Sequence, residues 1–126
     1  MSNGGFFYYG LTEFLLTVRA VLEDIAEIGQ TITYEELVEQ VTARRGSCSP
    51  HWQMGAHLGR ISHWERANGR PLLSAIVVNR DGSIGPGFWK MVEEEMQIPV
   101  VNREAFLTNT QLQVWAYRQA LVREGV

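Results

Sequence analysis

The sequence predicts an α+β domain, mainly helical, and three observations carry that reading. Thr31-Ile-Thr-Tyr-Glu-Glu-Leu37 opens a well-capped helix, and Met54-Gly-Ala-His-Leu-Gly-Arg60 lies on a second, glycine-punctuated one. Leu72-Leu-Ser-Ala-Ile-Val-Val-Asn79 then forms an apolar run ahead of Asp81-Gly82. Helix, helix and two-stranded wing is the order of a winged helix-turn-helix. The expected architecture is therefore a winged-helix-like core over about residues 31–89 with a short β-hairpin wing. N- and C-terminal helices over about residues 12–27 and 110–123 flank it. The 126 residues are expected to form a single domain, 1–126, long enough to bury a real core but too short for two.

Each element has a local cause. Phe6-Phe-Tyr-Tyr9 is short, aromatic and bounded by glycines, and reads as a strand or a hydrophobic anchor. Thr12 caps a helix to about Glu27, with an apolar stripe of Leu15, Val18, Val21, Leu22 and Ile25 and a stop at Gly29. Thr33 and Glu36 make a capping box, and Ile32 can pack on Leu37 as its hydrophobic staple. That helix should run to about Arg44 and end at Gly46. Ser49 as N-cap and Pro50 in the first turn begin the next, which Asn68-Gly69 ends; Met54, Leu58 and Ile61 share a face. Gly55 and Gly59 cost roughly 1 kcal/mol each inside a helix, so another backbone or a ligand is expected to approach their side closely. Leu72 to Asn79 reads as a buried strand, turned back by Asp81-Gly82 onto Ser83-Ile84. Gly85-Pro-Gly87 breaks the chain before a helix from about Phe88 to Met96, and Pro99 interrupts again. The final helix, from about Thr110 to Arg123, places Leu112, Trp115, Gln119 and Val122 on one face.

Composition narrows the function classes. Hydrophobic content of 45% with 20% charged residues is globular. There is no apolar run near the roughly twenty residues of a membrane span, and the start lacks the basic segment of a secretory signal. The single cysteine, Cys48, allows no internal disulfide and no cysteine cluster for zinc, so a cytoplasmic protein without membrane contact is expected. Net charge is −3, yet the charge is unevenly spread. Arg44, Arg45, Arg60, Arg66, Arg70, Arg80 and Lys90 face only Glu65 and Asp81 across residues 44–90, about +5, while residues 1–43 carry about −6.

The basic middle segment supplies the site candidates. Arg44, Arg45, Arg60, Arg66, Arg80 and Lys90 would contact phosphates, with the helix over 50–68 in a groove and the hairpin over 72–84 on the backbone. Trp52, in the first turn of that helix, and Tyr34 would meet a base. The bland alternative is solvated arginines paired with the acidic first third. His51, His57 and His63 recur every six residues, which turns each about 120° from the last on a helix, so they do not converge on one metal. Glu93-Glu-Glu95 reads as a solvated face, with only Lys90 near it for a nuclease. Gly85-Pro-Gly-Phe-Trp89 could expose N–H groups to an anion, but it lacks the Gly-Lys-Ser/Thr ending of a phosphate loop; its plain reading is a turn with Phe88 and Trp89 plugging the core. No metal and no cofactor is expected.

The middle of the chain resembles the DNA-binding C-terminal domain of the O6-alkylguanine-DNA alkyltransferases and their alkyltransferase-like relatives. That family opens with a Thr/Ile-Ser/Thr-Tyr-x-x-Leu pattern, which residues 31–37 follow, and continues with a small-residue-rich recognition helix similar to Met54-Gly-Ala-His-Leu-Gly59. A Pro-Cys-His-Arg-Val-Val strand and a Gly-x-x-Gly wing come next, where this chain has Leu73-Ser-Ala-Ile-Val-Val78 and Gly82-Ser-Ile-Gly85. The resemblance implies that Tyr34 stands at the edge of a base pocket. It also places Ser74 at the family's acceptor cysteine and Ala75 at its activating histidine, while the family's stack-filling arginine falls on Trp52 or Ala56. Dealkylation needs a thiolate, so the resemblance implies a pocket without its reaction.

The leading expectation is thus a non-catalytic nucleic-acid-binding module, for DNA or RNA. A protein-interaction module, an inhibitor or adaptor using the acidic first third and residues 6–9, is the alternative. A small nucleotide binder or enzyme centred on residues 85–89 is a third.

Overall fold

The computed structural model describes residues 11–125, so the aromatic segment over residues 6–9 lies outside the described residues. Helix α1 (Glu13–Glu27) starts where Thr12 Oγ1 accepts from the Leu15 N–H at 3.3 Å. It buries Leu15, Val18, Val21, Leu22 and Ala26, and the chain leaves through Gly29 at φ 67°. Strand β1 (Ile32–Thr33) leads directly into α2 (Tyr34–Arg45). The capping box is formed: Thr33 Oγ1 accepts from Glu36 N–H at 3.1 Å, and Glu36 Oε1 accepts from Thr33 N–H at 3.0 Å. Gly46, at φ 86°, closes α2 by donating to Thr42 O.

A single 3₁₀ turn (His51–Gln53) precedes α3 (Met54–Ala67). Ser49 was expected to cap this helix. Its hydroxyl instead lies 3.3 Å from His57 Nε2, and Pro50, extended at ψ 153°, takes the entrance position. Met54, Leu58 and Ile61 do share the buried face.

The largest departure from expectation lies at residues 72–84. Leu73–Ile76 winds into a 3₁₀ turn, and only Val77–Val78 is extended (β2). β2 pairs in parallel with β1, Ile32 opposite Val77 and Thr33 opposite Val78, rather than with Ser83–Ile84 in a hairpin. The turn at Asp81-Gly82 exists, closed by Asn79 N–H to Ser83 O at 2.8 Å, but Ser83 and Ile84 form no strand. Residues 72–78 are buried throughout, and a continuous apolar run carries no period to tell strand from turn. The decisive contact is tertiary: Ser62 Oγ accepts the Ser74 N–H at 3.1 Å and fixes the turn.

A short helix α4 (Pro86–Trp89) passes into a π-helix (Lys90–Glu95), and α5 (Arg103–Arg123) completes the chain. Asn102 caps α5 by accepting from Ala105 N–H at 2.9 Å, so the helix starts well before Thr110. Its buried positions are Thr110 and Val114, whereas Leu112 and Val122 are exposed. Trp115 and Gln119 do turn inward, donating to Gln30 O and Glu27 O.

The described chain is α+β: helices with one small parallel sheet. α1, α2, α3 and the 73–78 segment enclose the main core, and Leu72, Ala75, Phe88, Trp89, Met91 and Val92 form a second cluster against Phe106 and Leu107. Phe88 and Trp89 are thus core plugs. Between helices stands one buried charge cluster. Glu65, 2% exposed, accepts from Arg19 Nε at 2.6 Å and from Arg70 Nε at 2.7 Å. No helix among the described residues is long and apolar enough to cross a membrane.

Candidate nucleic-acid interface

The π-helix and the loop before it stand across from α3, and the space between them is a cleft of about 330 Å³. Tyr34 enters it from the first turn of α2, held there by the β1–β2 pairing. Gly55 and Gly59, one helical turn apart, line it from α3, and Gly87, Phe88 and Met91 line it from the opposite wall. Ser74 borders it as well, its Oγ 2.6 Å from Ser62 Oγ. Arg60, Lys90 and Glu95 supply the charged groups, and His63 Nε2 meets Glu95 Oε1 at 2.8 Å.

The glycines have a clear physical role. A methyl group placed on Gly55, Gly59 or Gly87 would meet no atom within 4 Å. Close backbone packing is therefore not what they provide; they leave the cleft open. Gly85 differs, being buried, and a methyl group there would come within 3.4 Å of the Tyr34 hydroxyl. Burial raises the Tyr34 pKa, so its phenol stays protonated at neutral pH and keeps an O–H donor at the cleft wall.

The sequence candidates divide in this frame. Tyr34, Arg60 and Lys90 converge on the cleft. Arg44 is 2.6 Å from Asp24, and Arg45 donates to Thr17 and lies over the Phe14 ring, so both are directed at α1. Arg80 is exposed, 3.9 Å from Glu35. Arg66 lines a separate hollow with Arg70. Trp52 is 72% exposed, outside the cleft lining but in the turn that feeds α3. His63 and Glu95 were not among the sequence candidates. The one local signal for His63 is its place one turn beyond Gly59; Glu95 joins it through tertiary packing alone.

The Ser74 hydroxyl is paired with another hydroxyl, Ser62, and Ala75, fully buried, has no titratable group to take a proton. Among the described residues no group of three or more His, Cys, Asp or Glu side chains could hold a metal ion.

His57, beside the cleft on α3, packs edge-on against Phe14 at 5.0 Å. Burial first, and the charge of Arg60 second, lower its pKa below 6.5. The unfolded chain therefore binds the extra proton between the lowered value and 6.5. Stability from this group is present above pH 6.5 and declines as pH falls to the lowered value. Urea melts across mildly acidic pH should show that decline, and His57→Gln should flatten it; an equally steep profile in the variant would assign the dependence elsewhere.

No family model, curated protein or solved structure matches the chain.

Proposed function

We propose that this protein is a non-catalytic nucleic-acid-binding module, related in design to the alkyltransferase-like proteins though without their β-hairpin wing. The cleft receives a base against Tyr34, and Arg60 and Lys90 hold the neighbouring phosphates. The carrying observation is the open face of α3. Two glycines that weaken the helix border empty space, beside a protonated phenol, two cations and a carboxylate, Glu95, that His63 engages, in a protein of net charge −3. A planar, uncharged group flanked by anions suits that lining, which is the description of a nucleotide within a chain.

The competing readings find less support. For a protein-interaction surface on the acidic first third, Asp24 is paired with Arg44, and Glu23 and Glu27 with Arg118, which compensates part of that charge internally. For a nucleotide site centred on residues 85–89, Gly85, Phe88 and Trp89 are buried, and of the glycines there only Gly87 borders the cleft.

Fluorescence anisotropy with labelled single- and double-stranded oligonucleotides, at about 50 and 200 mM salt, tests the proposal. Binding should weaken steeply with salt, and replacing both Arg60 and Lys90 by alanine should reduce the salt slope by about 2, about 1 for each phosphate contact. Absence of binding at the lower salt would overturn the assignment.

A further inference from the structure

The face of α3 that borders the cleft does not stop there. Gly55, Gly59 and His63 line the cleft, and Arg66, less than one turn beyond His63, lines a second hollow of about 440 Å³. On a helix of 3.6 residues per turn, Arg66 projects about 20° from the direction of Gly55 and sits about 16 Å further along the axis. The opposite walls are also consecutive: Lys90, Met91 and Glu95 for the cleft, then Ile98, Phe106 and Asn109 for the hollow. The His63–Glu95 pair lines the cleft, three residues before Arg66 on α3 and three before Ile98 on the opposite wall, and both side chains are about half exposed, 47% and 49%. A side-chain contact that exposed contributes little and can be displaced.

The hollow has a composition of its own. Arg66 and Arg70 border it, and no carboxylate does. Arg70 is committed to Glu65, which leaves Arg66 as the exposed cation. Asn109 and Gln113, one turn apart on α5, present amides that combine donors with an acceptor, and the ring of Phe106 lies one turn before Asn109. A cation, two amides and an aromatic ring are the groups that bind a phosphate, read a base edge and stack on a base face.

We propose that cleft and hollow are two subsites of one track for single-stranded nucleic acid, with the His63–Glu95 pair as a displaceable bar between them. The proposal rests on the nucleic-acid reading of the cleft and specifies its ligand. A single strand suits this lining because unpaired bases can present their faces to Tyr34 and Phe106 and their edges to Asn109 and Gln113, which line the two spaces.

The test compares a labelled thymidine dinucleotide with a thymidine oligomer of about 8 residues, within the range one module of this size covers. Wild-type protein should bind the longer strand at least about tenfold more tightly. Arg66→Ala combined with Gln113→Ala, both at exposed positions where folding is little affected, should remove about fivefold to tenfold of that gain and leave dinucleotide affinity unchanged. Unchanged affinity for the longer strand in the double variant would overturn the second subsite while leaving the cleft assignment standing. Equal loss for both strands would also overturn it, showing one undivided site. No binding of either strand by the wild-type protein would overturn the functional reading itself, and this inference with it.

Discussion

Replacing Glu65 with alanine should destabilise the protein by about 3 to 5 kcal/mol, the cost of breaking a buried ion pair from one side. Glu65 is almost wholly enclosed, and its two oxygens hold guanidinium groups from α1 and from the loop after α3. Without the carboxylate, Arg70 loses its ion-pair partner and Arg19 keeps only Glu23, at 3.2 Å on its own helix. Each is about one-fifth exposed, so partial rehydration places the expected loss toward the lower end of that range. Burial alone would lower the Arg19 pKa, but the hydrogen bond and charge of Glu65, with the charges of Glu23 and Tyr117, raise it. With a urea dependence of about 1–3 kcal/mol per molar, the unfolding midpoint should drop by about 1 M or more. Glu65→Gln, which keeps the shape and one acceptor, should lie between. A midpoint shift under about 0.3 M for the alanine variant would mean that solvent replaces the carboxylate without difficulty.

Filling the cleft should move stability and binding in opposite directions. Gly59 lies inside α3 with empty space above it, so Gly59→Ala should stabilise the helix by roughly 0.5–1 kcal/mol and raise Tm by about 2–8 °C. Gly59→Leu should retain most of that gain, because leucine also favours helices, while its side chain occupies the cleft and weakens oligonucleotide binding more than tenfold by the proposed mode. The pair of measurements separates two roles for the residue. A destabilised alanine variant would mean the position is needed for packing. Wild-type binding by the leucine variant would move the nucleic acid off this face.

Local chemistry was the legible part of the sequence. Thr12, Thr33 with Glu36, and Gly46 act within a few residues of themselves, so their capping roles follow from spacing alone. Residues 72–84 were harder because their conformation is decided from elsewhere. Apolar, β-branched residues suit a strand, but the Ser62 hydroxyl folds the first half into a turn, and Ile32 and Thr33 claim the second. β-propensity describes a fit to neighbours, and those neighbours are remote in sequence. The start of α5 was missed for a different reason: Asn102 is an ordinary cap, but Phe106 and Leu107 pack on the second cluster, out of phase with the Leu112–Val122 pattern. At the site, Tyr34, Arg60 and the helix glycines were legible from type and position. Arg44 and Arg45 have the same charge as Arg60, and only three-dimensional packing turns them toward α1.

The last helix also governs when the molecule can become rigid. Gln111 donates to Ala75 O, Trp115 to Gln30 O and Gln119 to Glu27 O, so α5 reaches back to both the first helix and the turn beneath the cleft. Contacts between segments so distant in sequence incur their loop-closure entropy before they return any stability, and they slow folding. The first three helices can form early from local contacts. The order of the cleft floor depends on a segment made later than it, so during synthesis the cleft becomes ordered after most of its own residues are already in place.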